Sequence, residues 1–226
     1  PWMSPGDLRS EVSRAVHDGL AVAVHAIGDR ANSEVIDAIV AAQRDIDPHA
    51  QSLRHRIEHV QLLHPRDCHR MANSRITASM QPIHCASDMD MADQHWGEPR
   101  SEGAFAWRSV LEAGAPLCFG SDSPVESFDV LAGIHAAVTR RRSSGYPGPE
   151  GWHPEQRLSV TEAVRAYTLG AAYAVGDEQQ RGSISVGKLA DLTVLSQDIF
   201  TTPPNDILGT DVQMTLFDGK VVYSAL

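Results

Sequence analysis

Leu20-Ala21-Val22-Ala23-Val24-His25-Ala26 is an apolar run interrupted only by an imidazole near its end. A short, nearly continuous apolar run of this length is how a strand covered on both faces of a parallel sheet reads. Its flanks fit that reading. Upstream, Ser4-Pro5-Gly6-Asp7 has a capping hydroxyl followed by proline at the first helical position, and Leu8, Val12, Ala15 and Val16 keep helical spacing up to His17. That helix is expected to stop near Gly19. Downstream, a second helix is expected from about Arg30, with Val35, Ile36, Ile39 and Val40 on one stripe.

The same alternation recurs along the chain. Strands are expected at His55 to Val60, Ile76 to Gln81 and Pro116 to Gly120, and helices at Pro65 to Asn73, Phe105 to Ala113, Val125 to Arg142 and Ser159 to Val175. Pro82 to Arg100 is too polar for a core segment and long for a connection, so it is expected to be a functional loop. After Gly176 the pattern changes to strands and hairpins over Gly182 to Leu195 and Met214 to Tyr223. Asp218-Gly219 supplies a type I′ turn signal there. The expected organisation is a β/α body over 1–176 and a small β unit over 177–226.

Of 226 residues, 42% are hydrophobic, 21% charged and 6% aromatic, which describes an ordinary globular chain. Nineteen Lys and Arg against 29 Asp and Glu leave a net charge of −10. Nucleic acid and anionic membrane surfaces are poor partners for such a chain, since both require a cationic footprint. The basic run Arg140-Arg141-Arg142 reads as a solvated helix end. Cys68, Cys85 and Cys118 lack CxxC spacing, so reduced thiols and a cytoplasmic location are expected. No apolar stretch approaches the roughly 18 to 20 residues of a spanning helix.

In β/α proteins ligands gather at the carboxyl ends of strands. Three polar residues close apolar strand runs in this chain: His25, His59, and Asp122 just after Phe119-Gly120-Ser121. Two imidazoles and a carboxylate from separate strand ends are suitable donors for a divalent metal, zinc first among them. Each also has a structural reading, as a hydrogen-bonded strand-end histidine or a helix-capping aspartate. His55-Arg56-Ile57-Glu58-His59 has HxxxH spacing but lies in a strand and lacks Glu after its first His, which argues against a zincin helix. Ser121 and Ser123 flank Asp122 without a G-x-S-x-G elbow, so serine nucleophile chemistry is disfavoured. Asp88, Asp90 and Asp93 read as solvated acids, and His95, His135 and His153 as surface or structural residues.

Several segments, taken in order, carry a resemblance: His25 to Ala31, Arg56 to Gln61, Ala78 to Pro82, Phe119 to Glu126, Tyr167 to Ala172 and Gly182 to Leu192. Together they resemble the YtcJ-like branch of the metal-dependent amidohydrolase superfamily. The resemblance implies an α/β fold, a (β/α)8 TIM-type barrel with a small β-sandwich. It also implies metal-dependent hydrolysis of amide-like or formamide-like, non-peptide carbon–nitrogen bonds in a small-molecule substrate. His25 then corresponds to the ligand of the fifth barrel strand and His59 to that of the sixth. Asp122 becomes the eighth-strand carboxylate, both metal ligand and general base and acid, with one or two divalent ions, zinc by preference, as cofactor. Gln81, His84, Asp88 and Arg30 fall where substrate-binding groups are expected.

The family's first-strand His-x-His pair and fourth-strand bridging residue have no counterpart here, and the chain begins with Pro1 rather than Met. Only four barrel strands are expected, where a complete barrel needs about 250 residues. The chain therefore reads as the C-terminal half of a barrel, about strands five to eight. Completion by the N-terminal half or by a second copy is expected. The alternative is a catalytically inactive, truncated relative acting as a binding or assembly module.

Overall fold

The computed structural model describes residues 3–45, 53–97 and 100–226. Helix α1 spans Pro5–His17, with the Ser4 hydroxyl accepting from the Asp7 amide and proline in the first turn. Strand β1 (Ala23–Ala26) follows, then α2 (Asp29–Arg44), whose buried stripe includes Val35, Ile36 and Ile39. Val12 and Val16 of α1 are buried as well, and α1 packs on α2. Next come β2 (Arg56–His59), α3 (Pro65–Asn73) and β3 (Thr77–Met80). The N-cap of α3 is unusual: the His64 imidazole accepts from the Arg66 amide.

β1, β2 and β3 pair in parallel, with Val24 opposite Ile57 and Ile57 opposite Ala78. Strand β4 (Leu117–Phe119) completes the sheet order β1-β2-β3-β4, and the Ala78 amide donates to Pro116 O at 2.9 Å. The fold is α/β with a parallel sheet, and its centre is apolar: Ile57, Ala78 and Met80 are fully buried. β1 departs from the expectation of a strand covered on both faces. Of its four residues only Ala26 is buried, because β1 is the first strand in the order. An apolar composition therefore marks it as a strand without stating how many neighbours cover it.

Pro82 to Arg100 is not a loop. It forms helix α4 (Pro82–Trp96), followed by a short 3-10 turn at Arg100–Gly103. Cys85, Ala86, Met89 and Ala92 are buried at helical spacing, and these four small or flexible side chains form an apolar stripe thin enough to be lost among the acids. Helix α5 (Trp107–Glu112) leads to β4.

Beyond β4, α6 covers Val130–Thr139 rather than starting at Val125, because Asp129 caps it, accepting from the amides of Leu131 and Ala132. It ends at Arg140 in the left-handed conformation, φ 55°. α7 (Val160–Arg165) begins with a capping box between Ser159 and Glu162. It continues through a π-helical turn at Ala166–Gly170 into α8 (Ala171–Val175). The tail forms one antiparallel sheet of β5 (Leu192–Leu195), β6 (Val212–Phe217) and β7 (Lys220–Ser224) in that order. β6 and β7 meet at Asp218-Gly219, where both residues have positive φ, 50° and 73°, as a type I′ turn requires. The segment 182–191 adds no strand.

The arginine run is not a solvated helix end either. Arg140 is fully buried, its Nε donates to Trp152 O at 2.6 Å, and its guanidinium lies 5.0 Å from the Trp152 ring centroid. Arg141 reaches Asn205 Oδ1 at 2.8 Å, and Arg142 reaches Ala86 O at 2.8 Å. These three cations hold α6 to the segments around it. Packing divides the chain into two compact units, one of residues 1–80 with 90–117 and the other of 81–89 with 118–226. No helix of the described residues is long and apolar enough to cross a membrane.

Candidate active site

In the first unit the side chains of interest stand at the carboxyl ends of β1 and β2. Partners in a parallel register share a face, so His25 sits beside Glu58, and His59 is paired with Ala26. Strict alternation would turn His59 to the opposite face from Glu58 and His25. Instead His59 has φ 80° and Val60 φ 47°, and this left-handed step re-aims the imidazole. The His25 and His59 rings meet edge to face, with centroids 4.5 Å apart and an interplanar angle of 68°. A left-handed histidine followed by a left-handed valine is costly backbone, and such strain concentrates at functional sites.

Glu58, which the sequence reading passed over, lies beside His25 and pairs with Arg56, Nε to Oε1 at 2.5 Å. The alternation of Arg56 and Glu58 on one strand face was the available signal. His55 has a different role from the strand-end pair. It is buried, its Nδ1 accepts the Val22 amide at 3.2 Å, and burial lowers its pKa. That ring ties β2 to the residue preceding β1, in keeping with the rejection of a zincin motif.

At the start of α2, Arg30 pairs with Glu34, Nε to Oε1 at 2.8 Å, one turn along its own helix. Asp29 is held by Arg100, whose Nη2 lies 2.9 Å from both carboxylate oxygens. Against the desolvation that raises it, the Arg100 hydrogen bond, the Arg30 amide and the nearby positive charge bring the Asp29 pKa below its ordinary value.

In the second unit Asp122 follows the end of β4 by three residues, with its backbone left-handed at φ 58°. The Ser121 hydroxyl accepts the Ser123 amide at 3.3 Å, and the Val125 amide donates to Asp122 O at 2.9 Å, so the turn is tightly defined. His84, on the first turn of α4, is buried and brings Nε2 to 3.2 Å from Asp122 Oδ2. Gln81, also buried, accepts the His84 amide through its own carbonyl at 3.1 Å. Asp88 lies one helical turn beyond His84. Burial raises its pKa, the His84 charge opposes that shift and Glu126 adds to it.

The proposed site residues thus form two pairs, His25 with His59 and His84 with Asp122, each within one unit. Arg30 joins neither pair. A cavity of about 530 Å³ in the first unit is lined by Asp29, His64 and Arg100, and one of about 1200 Å³ in the second by Phe128, Tyr167 and Ile199. None of the four paired residues lines either cavity.

A family model described as the amidohydrolase family matches residues 2–223, almost the whole chain. The chain belongs to the amidohydrolase family. It is 35% identical over 212 residues to the putative amidohydrolase YtcJ of Bacillus subtilis, covering 94% of this chain and 39% of that protein. It is 28% identical over 223 residues to the N-substituted formamide deformylase of Arthrobacter pascens, covering 98% of this chain and 40% of the relative. Among solved structures, a metal-dependent hydrolase of Pyrococcus horikoshii superposes with a TM-score of 0.75 at 27% identity, over 89% of this chain and 39% of that one. The chain spans about two fifths of the length of the curated relatives it matches.

Proposed function

We propose that this chain contributes the metal-binding half of a hydrolase that cleaves carbon–nitrogen bonds of non-peptide amide-like or formamide-like small molecules. The observation that carries the reading is the His25–His59 pair at the ends of two neighbouring parallel strands, one imidazole re-aimed by a left-handed backbone step. Two neutral imidazoles and an aspartate are donors that suit a divalent ion such as zinc, as one ion or as one of two. His25, His59 and Asp122 would hold it. When bound, the metal supplies Lewis-acid polarisation of the scissile carbonyl and lowers the pKa of water.

Asp122 accepts a proton from the attacking water and returns it to the leaving amine, the exchange a general base and acid must perform. Its rigid turn keeps Oδ1 and Oδ2 in a defined orientation for that transfer. Gln81, His84, Asp88 and Arg30 are the proposed substrate-facing set. The substrate class is supported by the formamide deformylase relative and by family membership.

In the same reading the parallel sheet is strands five to eight of a (β/α)8 barrel, the body runs over 1–176, and 177–226 belongs to a small β domain. The exposed edge strand β1 supports completion by further strands, from the rest of a full-length protein or from a second copy. A small-molecule substrate, no nucleic-acid or membrane partner, and a cytoplasmic setting complete the proposal.

The test is metal binding by the purified chain together with turnover by the full-length protein. Zinc should bind the chain, and N-substituted formamides should be hydrolysed by the full-length protein, with chelator abolishing turnover and zinc restoring it. Turnover that persists after chelation and dialysis would overturn the proposal.

A further inference from the structure

We propose that a cavity lined by α4, α6 and the segment that follows α6 is a binding site for a small phosphate-bearing anion. The cavity measures about 330 Å³ and lies wholly within the second unit. None of the residues assigned above to metal binding or hydrolysis lines it. Ala132, His135 and Ala136 share one face of α6, and with Ala86 and Ser87 of α4 they leave the hollow unfilled because most of these side chains are small.

Its charge is one-sided. Arg141 and Arg142 line it and no Asp or Glu does, in a chain that carries 29 acids and a net charge of −10. Arg141 donates from Nε to Gly145 O at 3.1 Å and from Nη1 to Asn205 Oδ1 at 2.8 Å. Both acceptors are neutral, so they orient the guanidinium without cancelling its charge. Arg142 is held in place by Ala86 O. A guanidinium fixed in this way is suited to phosphate oxygens.

His135 is the second observation. It is 4% exposed and lines the cavity, yet neither ring nitrogen has a hydrogen-bond partner among the described residues. Buried polar side chains are paired as a rule, so this imidazole is left for whatever enters the hollow. Burial and the Arg141 charge lower its pKa, so near neutral pH the ring is uncharged and offers one N–H. Ser143 and Ser144 add two hydroxyls from the turn that the Gly145 amide closes on Arg142 O at 2.9 Å, and neither hydroxyl is bonded among the described residues. The Ser87 hydroxyl is already given to Ile83 O. Cations, an N–H and hydroxyls on one wall repel a metal ion and match an anion with several acceptor oxygens. The remaining wall is aliphatic, with Ile83 and Leu208, and accepts a short carbon tail. The volume is at the small end of ligand pockets, which run from about 300 to 1,000 Å³.

Titration calorimetry and imidazole carbon–proton spectra of the purified, chelator-treated chain test the site, with inorganic phosphate and propyl phosphate as probes at constant ionic strength. Phosphate should bind once per chain and shift the His135 ring signals while leaving those of His25 and His59 in place. Tighter binding of propyl phosphate identifies an organic phosphomonoester as the ligand, and equal binding identifies the free anion. Arg141→Gln keeps a donor for Gly145 O without the charge and should weaken binding roughly tenfold or more. His135→Leu keeps the packing without the N–H and should weaken it roughly three- to tenfold. Arg9→Gln, on an exposed position of α1, should change nothing. Circular dichroism and the urea midpoint without phosphate establish that each variant is folded. Should Arg141→Gln or His135→Leu fail to fold, Ser143→Ala with Ser144→Ala, in an exposed turn, carries the same test and should also weaken binding. No saturable binding, phosphate shifts that miss His135, or equal losses in Arg9→Gln and Arg141→Gln would each overturn the site.

Discussion

The imidazoles of His25 and His59 meet edge to face at 4.5 Å although they belong to register positions that a regular pleat would turn apart. The left-handed backbone at His59 and Val60 supplies the correction. Replacing either ring by alanine should weaken zinc binding to the chain by more than about tenfold, since even partners that only orient ligands contribute about that much. Competition titration with a chromophoric chelator reads the effect. His69→Ala, on an exposed helical position, is the matched control and should leave the affinity unchanged.

Asp122 separates binding from proton transfer. Asp122→Asn keeps the shape and one ligating oxygen but removes the base, so turnover of the full-length protein should drop roughly 10²- to 10⁴-fold. Zinc affinity should fall much less. Steady-state rates beside metal content by atomic absorption distinguish the two, and wild-type turnover in the variant would remove Asp122 from the chemistry.

Acid should destabilise the fold through two buried histidines. Burial lowers the pKa of His55, and burial with the Arg141 charge lowers that of His135, both below the ordinary 6.5. The unfolded chain takes up protons near that value while the native state refuses them. The stability from these rings is therefore fully present above pH 6.5 and is lost as pH falls below it. Urea midpoints should be lower at about pH 5.5 than at about pH 7.5. His55→Asn keeps an acceptor for the Val22 amide without titrating, and should narrow that gap.

Gly133 faces the Tyr167 hydroxyl so closely that a Cβ there would overlap it. Tyr167 is itself packed edge to face on Phe119, 5.4 Å between centroids, so it has little freedom to retreat. Gly133→Ala should cost roughly 1 to 3 kcal/mol in denaturant unfolding. Adding Tyr167→Phe should recover part of that loss.

The three cysteines are buried and none is joined in a disulfide. Burial pushes the Cys68 and Cys85 thiols up to about 11, with Asp67 and Asp88 adding in the same direction and Arg140 opposing at Cys85. A thiol so far from ionisation is a poor nucleophile. The native chain should label slowly with a disulfide reagent at mildly alkaline pH, and all three positions should label at once in denaturant.

Much of this protein was legible in its sequence where neighbouring residues set the outcome. Ser4 before Pro5 set the start of α1, Pro65 that of α3, Asp218-Gly219 the final hairpin, and each apolar run between helical stripes became a strand of the parallel sheet. His25, His59 and Asp122 were likewise readable as polar ends of those runs. Caps, turns and periodicities are local, so a few adjacent side chains suffice to specify them.

Tertiary structure decided what depends on partners distant in the chain. Pro82 to Trp96 became a helix because Cys85, Ala86, Met89 and Ala92 found a core to enter, which no polar tally could reveal. Arg140 left solvent because the Trp152 carbonyl and ring were there to receive it. Arg30 took Glu34 as its partner, His59 turned out of its pleat towards His25, and His84 met Asp122 across 38 residues of chain. A hydrogen bond or an aimed imidazole is fixed to within an ångström by backbone far away in sequence, and only the folded chain brings that backbone to bear.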